Sequence, residues 1–122
     1  MESDSTILGE KVKVMAISLT GNVGSIIGMD LINSLISKIG MTKAPGESLC
    51  RYPLNNGKGG FGYTYFQPIT ESFMIIDSWP DLNGAYLFIC SCMPFDVKPV
   101  FEALKEFNLE SHQCEIMKLG IK

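Results

Sequence analysis

Glu71 and Ser72 place a carboxylate and a hydroxyl side by side, and a third polar group, Asp77, follows after the apolar run Phe73-Met74-Ile75-Ile76. Aspartate is disfavoured within strands. Asp77 therefore reads either as the frayed end of a strand or as a residue placed for chemistry. Sulfur comes from Cys50, Cys90, Cys92 and Cys114. Cys90 and Cys92 flank Ser91 in the run from Ala85 to Cys92, and residues two apart on a strand share a face. One Cys-x-Cys with two scattered partners does not match the paired spacing of a zinc site. No metal site is expected, and the cysteines read as small buried hydrophobes, with room for one reactive thiol. His112 is the single histidine, which argues against a Ser-His-Asp triad, and it reads as a surface or capping residue.

Gly57-Lys58-Gly59-Gly60-Phe61-Gly62 spells G-x-G-x-x-G. A dinucleotide site needs a helix directly after such glycines. An aromatic stretch follows instead, and Lys58 has no Ser or Thr after it. The segment reads as a hairpin loop rather than a phosphate cradle.

These residues must be held by regular elements. Alternation predicts a strand from Lys11 to Leu19. Helical spacing from Ser25 to Ile39 aligns Ile27, Leu31, Leu35 and Ile39, with Ile32 and Ile36 beside them, and Gly40 supplies a stop. Strands are predicted at 48–54, 62–67, 72–79, 84–92 and 111–121, the one at 84–92 being the most apolar and central. Pro68 interrupts its strand or places it at a sheet edge. Pro94-Phe95-Asp96 breaks the sheet, and Asp96 caps a helix reaching about Asn108, with Pro99 in its first turn. The order predicts an α+β fold: a two-layer sandwich with an antiparallel-rich β-sheet and two helices on one face. A tail at 1–10 precedes a single domain at 11–122.

The chain has 122 residues, 46% hydrophobic and 19% charged, which suits one domain with a core and excludes wholesale disorder. Lys+Arg 10 against Asp+Glu 13 gives net charge -3, so no nucleic-acid partner is expected. No apolar run is long enough for a membrane span, and the start Met1-Glu2-Ser3-Asp4-Ser5 is unlike a secretion signal. A cytoplasmic protein with reduced thiols is the expectation.

The segment Ile69-Thr70-Glu71-Ser72-Phe73-Met74-Ile75-Ile76-Asp77-Ser78-Trp79-Pro80 is followed by an apolar strand ending at Cys92 and a Pro-containing helix. This ordered set resembles the small prokaryotic form of S-adenosylmethionine decarboxylase, over residues 10–117. The resemblance implies that the chain cleaves itself between Glu71 and Ser72. It also implies that Ser72 becomes a pyruvoyl cofactor, which forms a Schiff base with the substrate amine and accepts electrons as CO2 leaves. On the same footing Cys92 protonates the decarboxylated carbon, and Thr64 stands where the family has a processing hydroxyl. The product would be the aminopropyl donor for spermidine synthesis. A homodimer with active sites at the interface is implied as well. The sequence departs from the family at Asp77, where a histidine is expected. An ordinary aspartate is a weaker base than imidazole by roughly 3.5 kcal/mol, at about 1.36 kcal/mol per pKa unit. That departure motivates an alternative, an unprocessed relative acting as a ligand-binding or regulatory subunit. A third reading is a relative decarboxylating arginine or ornithine. Tyr65, Phe66 and Trp79 are candidates for stacking on the substrate or for ordinary core packing.

Overall fold

A computed structural model of the chain describes residues 8–55 and 57–119. Most of the predicted tail, residues 1–7, lies outside the described residues, as do Asn56 and residues 120–122. The elements run β1 (Lys11–Thr20), α1 (Ser25–Lys38), β2 (Ser48–Pro53), β3 (Phe61–Ile69), β4 (Ser72–Trp79), β5 (Gly84–Asp96), α2 (Lys98–Glu106) and β6 (Glu110–Met117). A single antiparallel sheet of order β2-β3-β4-β5-β1-β6 carries both helices on one face. The fold is the expected two-layer α+β sandwich. No helix among the described residues is long and apolar enough to cross a membrane.

Period-2 alternation sorts each strand between the two faces. Met15, Ile17 and Leu19 of β1, Met74 and Ile76 of β4, and Leu87 and Ile89 of β5 are buried toward the helices. Against them α1 packs Leu31, Ile32, Leu35 and Ile36, and α2 packs Val100, Phe101, Ala103 and Leu104. Each fully buried aliphatic side chain contributes on the order of 1.5–3 kcal/mol relative to exposure. Ile27, expected on the buried line of α1, is instead turned out, and Gly28 meets the sheet. A Cβ on Gly28 would lie 2.9 Å from the Tyr63 hydroxyl, so the glycine permits this close helix-sheet approach. Tyr63 donates to the Val23 carbonyl at 2.5 Å, and Ser78 donates to the same oxygen at 2.7 Å. At the other end of α1, Gly40 takes φ +74° while Met41 N–H donates to the Ile36 carbonyl at 2.9 Å, a Schellman-type stop.

Three local expectations are corrected. β3 runs through Pro68 without interruption, because Pro68 lies beyond the last β2–β3 pair, Ser48↔Phe66. On that side only its carbonyl is used, accepting from Ala44 N–H, so the missing proline N–H costs no ladder bond. Asp96 does not cap α2: β5 continues through it, and Val97 takes the N-cap position without a side-chain bond. The helix ends at Glu106, because Asn108 turns the chain with φ 56°.

Strand β5 carries a bulge that matters for the site. Val14 pairs with Cys90, whereas Val12 pairs with Phe95, so Ser91 to Pro94 leave the β1 ladder opposite Lys13. The Ser91 hydroxyl stabilises the bulge by donating to the Met93 carbonyl at 2.7 Å and accepting from Met93 N–H at 3.0 Å.

Candidate functional site

The residues singled out from the sequence fall into two groups on the sheet. The first is at the β3–β4 turn. Ile69 pairs with Ser72, which leaves Thr70-Glu71 as a two-residue loop. Such loops commonly rely on residues with positive φ. Neither Thr70 nor Glu71 has one, and the turn is held from outside by Thr42. Thr70 N–H donates to the Thr42 carbonyl at 2.8 Å, and Thr42 N–H donates to Glu71 Oε1 at 3.1 Å. That backbone donor is the main reason the Glu71 carboxyl is held below the usual carboxylate range. The Glu71 carbonyl oxygen accepts the N–H of Cys92 at 2.9 Å, which extends the β4–β5 ladder one residue past Ser72↔Ser91.

Ser72, half-buried, has the strand parity of buried Met74, whereas Cys92 is exposed with the parity of Phe88 on the uncovered face. Both residues reach the rim of the sheet and line one cavity of about 460 Å³, with Lys13, Glu71, Cys90 and Ser91 among its walls. The arrangement places a hydroxyl next to a carbonyl whose oxygen already has a fixed N–H donor. That geometry suits attack on the carbonyl carbon, because the donor meets the oxygen where negative charge develops.

The second group lies on the uncovered face at the β2–β4 end. Thr64 pairs with Asp77 across β3 and β4, and its hydroxyl donates to Asp77 Oδ1 at 2.9 Å. Tyr52 of β2 donates to the same oxygen, also at 2.9 Å. Burial is the largest cause holding the Tyr52 hydroxyl above its ordinary range, and Asp77 beside it acts in the same direction. Tyr52 was not anticipated from the sequence. The signal that marks it is Gly62, a glycine inside a strand, which denotes close approach of a neighbour. A Cβ on Gly62 would lie 2.9 Å from Tyr52 Cε2 and 3.0 Å from Trp79 Cδ1.

Asp77 and Ser72 are five residues apart on one strand. At about 3.3 Å per residue their Cα atoms are about 16 Å apart. Within one chain, Thr64 and Asp77 therefore do not meet the Glu71-Ser72 bond.

The aromatic candidates separate in the same way. Trp79 stands on the uncovered face, edge-on to Tyr86 with centroids 5.4 Å apart, and Phe66 stands there against Phe73 at 5.9 Å. Tyr65 does not: it is 2% exposed beneath the helices and donates to Gln67 Oε1 at 2.8 Å, so it belongs to the core. The cysteines also depart from the expected burial, with Cys50 and Cys92 exposed and Cys90 and Cys114 half-buried. His112 is an exposed residue of β6. The glycine-rich segment is the loop between β2 and β3 and leads into a strand, not a helix. Among the described residues no cluster of three or more His, Cys, Asp or Glu is arranged to hold a metal ion.

No protein-family model matches the chain, and no curated protein matches it.

Proposed function

We propose that the chain is a pyruvoyl-dependent amino-acid decarboxylase of the S-adenosylmethionine decarboxylase type, which cuts itself at Glu71-Ser72. The observation that carries this reading is the Cys92 N–H, 2.9 Å from the Glu71 carbonyl oxygen, in a turn whose next residue is Ser72. Attack by the Ser72 hydroxyl on that carbonyl carbon forms an ester and breaks the peptide C–N bond. The Cys92 N–H stabilises the oxyanion on the way, and Thr42 holds the turn still through Glu71. Removal of a donor of this kind typically costs about 10²–10³-fold in rate.

A pyruvoyl group at position 72 supplies a ketone that takes up the substrate amine and accepts the electron pair as CO2 departs. Around it the chain's residues bind and protonate. The Cys92 thiol, on the wall of the same cavity, is placed to return a proton to the substrate carbon.

The reading also calls for a homodimer. Thr64 and Asp77 lie too far from Ser72 to assist its processing within one chain. Two copies apposed through their uncovered faces bring the Asp77 end of one toward the Ser72 end of the other. The band formed by Phe66, Phe73, Trp79, Tyr86 and Phe88 is the apolar surface such a dimer would cover.

The direct assay is CO2 release from carboxyl-labelled S-adenosylmethionine, arginine and ornithine by the purified full-length protein. Release from S-adenosylmethionine is expected. Release from arginine or ornithine alone would reassign the substrate, and release from none of the three would remove the decarboxylase reading.

A second reading has one observation in its favour. The position where the family has a histidine holds an aspartate, by type the weaker base, which suits a chain that keeps the fold as an unprocessed ligand-binding or regulatory subunit. Cleavage of Asp77→His but not of the parent protein is the outcome expected of it.

A further inference from the structure

Three strands deliver one polar unit to the uncovered face: Tyr52 from β2, Thr64 from β3 and Asp77 from β4. Both hydroxyls donate to Asp77 Oδ1 at 2.9 Å. Among the described residues no donor is bonded to Oδ2. The carboxylate is thus fixed by one oxygen and presents the other.

The position of Tyr52 is itself built. Its neighbours on β2 are exposed while Tyr52 is half-buried. The Tyr52 and Trp79 rings fold over Gly62 from either side, in the space that any side chain at 62 would fill. The last glycine of the G-x-G-x-x-G segment, already inside β3, therefore has a role as the floor of the tyrosine slot.

We propose that Tyr52 is a positioning residue for Asp77, and that the unit Tyr52-Thr64-Asp77 does the work for which the resembling family uses a histidine. This rests on the self-cleavage reading above. The step is the second one of processing. Across the homodimer that this reading calls for, Asp77 Oδ2 of one copy takes the Cα proton of residue 72 in the ester of the other. The Cα–H electron pair becomes a Cα–Cβ double bond, the Cβ–Oγ bond breaks, and Glu71 leaves with its carboxylate. Water then adds to the nitrogen-bearing carbon and ammonia departs, leaving the keto group. No oxidant is needed. An aspartate has two equivalent oxygens and free rotation, so it becomes a directed base only when one oxygen is tied. Tyr52 and Thr64 tie it without supplying a competing proton acceptor, because the half-buried Tyr52 hydroxyl, held above its ordinary range, stays protonated at neutral pH.

The test uses the full-length chain and asks which step fails. In Tyr52→Phe the first step is untouched and the second is slowed, so an ester isomer of unchanged mass accumulates. Neutral hydroxylamine splits that ester at Glu71, and intact-mass analysis reads the two pieces. The expected result is that Tyr52→Phe cleaves itself at least 10-fold more slowly than the parent, gains a hydroxylamine-sensitive fraction, and matches Asp77→Ala in this. Gly62→Ala, which keeps the hydroxyl but displaces the ring, behaves the same way. Thermal unfolding of each variant separates a folded but stalled chain from a misfolded one. Self-cleavage of Tyr52→Phe at the parent rate overturns the proposal. So does a folded Tyr52→Phe chain that neither cleaves nor responds to hydroxylamine, since that places the defect at the first step. A parent protein that never cleaves removes the underlying reading instead, and the two failures are distinguishable.

Discussion

On β5, Leu87 and Ile89 are fully buried under the helices, while their neighbours Tyr86 and Phe88 are 45% and 37% exposed on the other face. The same inequality runs across the sheet. Met74 and Ile76 are buried and Phe73 and Ile75 are only half-covered; Tyr65 is buried and Phe66 is not. Both faces are rich in large apolar side chains, yet helices cover only one. The covered face stabilises the fold. The uncovered face holds the polar unit at Asp77 and the aromatic band, and the Cys92 side of the rim cavity opens onto it. The fold's core and the polar unit at Asp77 are thus separated by the pleat of the sheet, one residue apart on each strand, while Ser72 lies at the rim with the parity of the covered face.

The sharpest way to break this comparison is a matched pair of substitutions on β5. Leu87→Ala should destabilise the chain by about 2–5 kcal/mol, since it empties a filled site under the helices. Phe88→Ser, one residue on, should leave the monomer's stability within about 0.5 kcal/mol while weakening self-association. Denaturant unfolding and sedimentation equilibrium read the two effects. Similar losses of stability at both positions would mean that the faces are not functionally distinct.

A smaller effect concerns Tyr63, which ties β3 to the chain entering α1 on the covered side. Burial pushes its hydroxyl up to about 12 from an ordinary value of 10.0. A group raised in the folded state contributes stability that is fully present below its unfolded pKa and is lost as pH rises through its folded one. The fold should therefore weaken between pH 10 and 12, and Tyr63→Phe should flatten that part of the stability curve. Unfolding midpoints across the alkaline range check this. A Tyr63→Phe curve that keeps the parent's slope would place the alkaline sensitivity elsewhere.

Much of the covered face was legible in the sequence. The strand alternation of β1, the helical spacing of α1 and the apolar run of β5 each fix a local period, and local periods decide which residues are buried. The errors arise where parity depends on something nonlocal. Tyr65 and Phe66 are adjacent aromatics, and which of them faces the core is set by the register of β3 between β2 and β4. Asp96 reads as a helix cap because Pro94 suggests a break, whereas the bulge at Ser91–Pro94 lets β5 continue. Tyr52 was missed for the same reason. Its approach to Asp77 needs the pairings Tyr52↔Gly62 and Thr64↔Asp77 together, and no short stretch of sequence contains both. The Glu71-Ser72 pair was legible as a motif, but the Cys92 N–H that meets its carbonyl was not, because a backbone donor leaves no mark in residue type.

Self-cleavage is the claim on which the proposed chemistry rests, and intact-mass analysis of the purified chain tests it most directly. The account predicts that the 13.4 kDa species gives way to two pieces, 1–71 and 72–122, the second beginning with a carbonyl group in place of the serine amine. It further predicts that a Ser72→Ala chain, itself uncleavable, restores fast cleavage of the slow Asp77→Ala chain when the two are co-expressed, since one copy supplies Asp77 to the other's Ser72. A chain that remains a single 13.4 kDa species after prolonged incubation at neutral pH, with no reactivity toward carbonyl reagents, would contradict it.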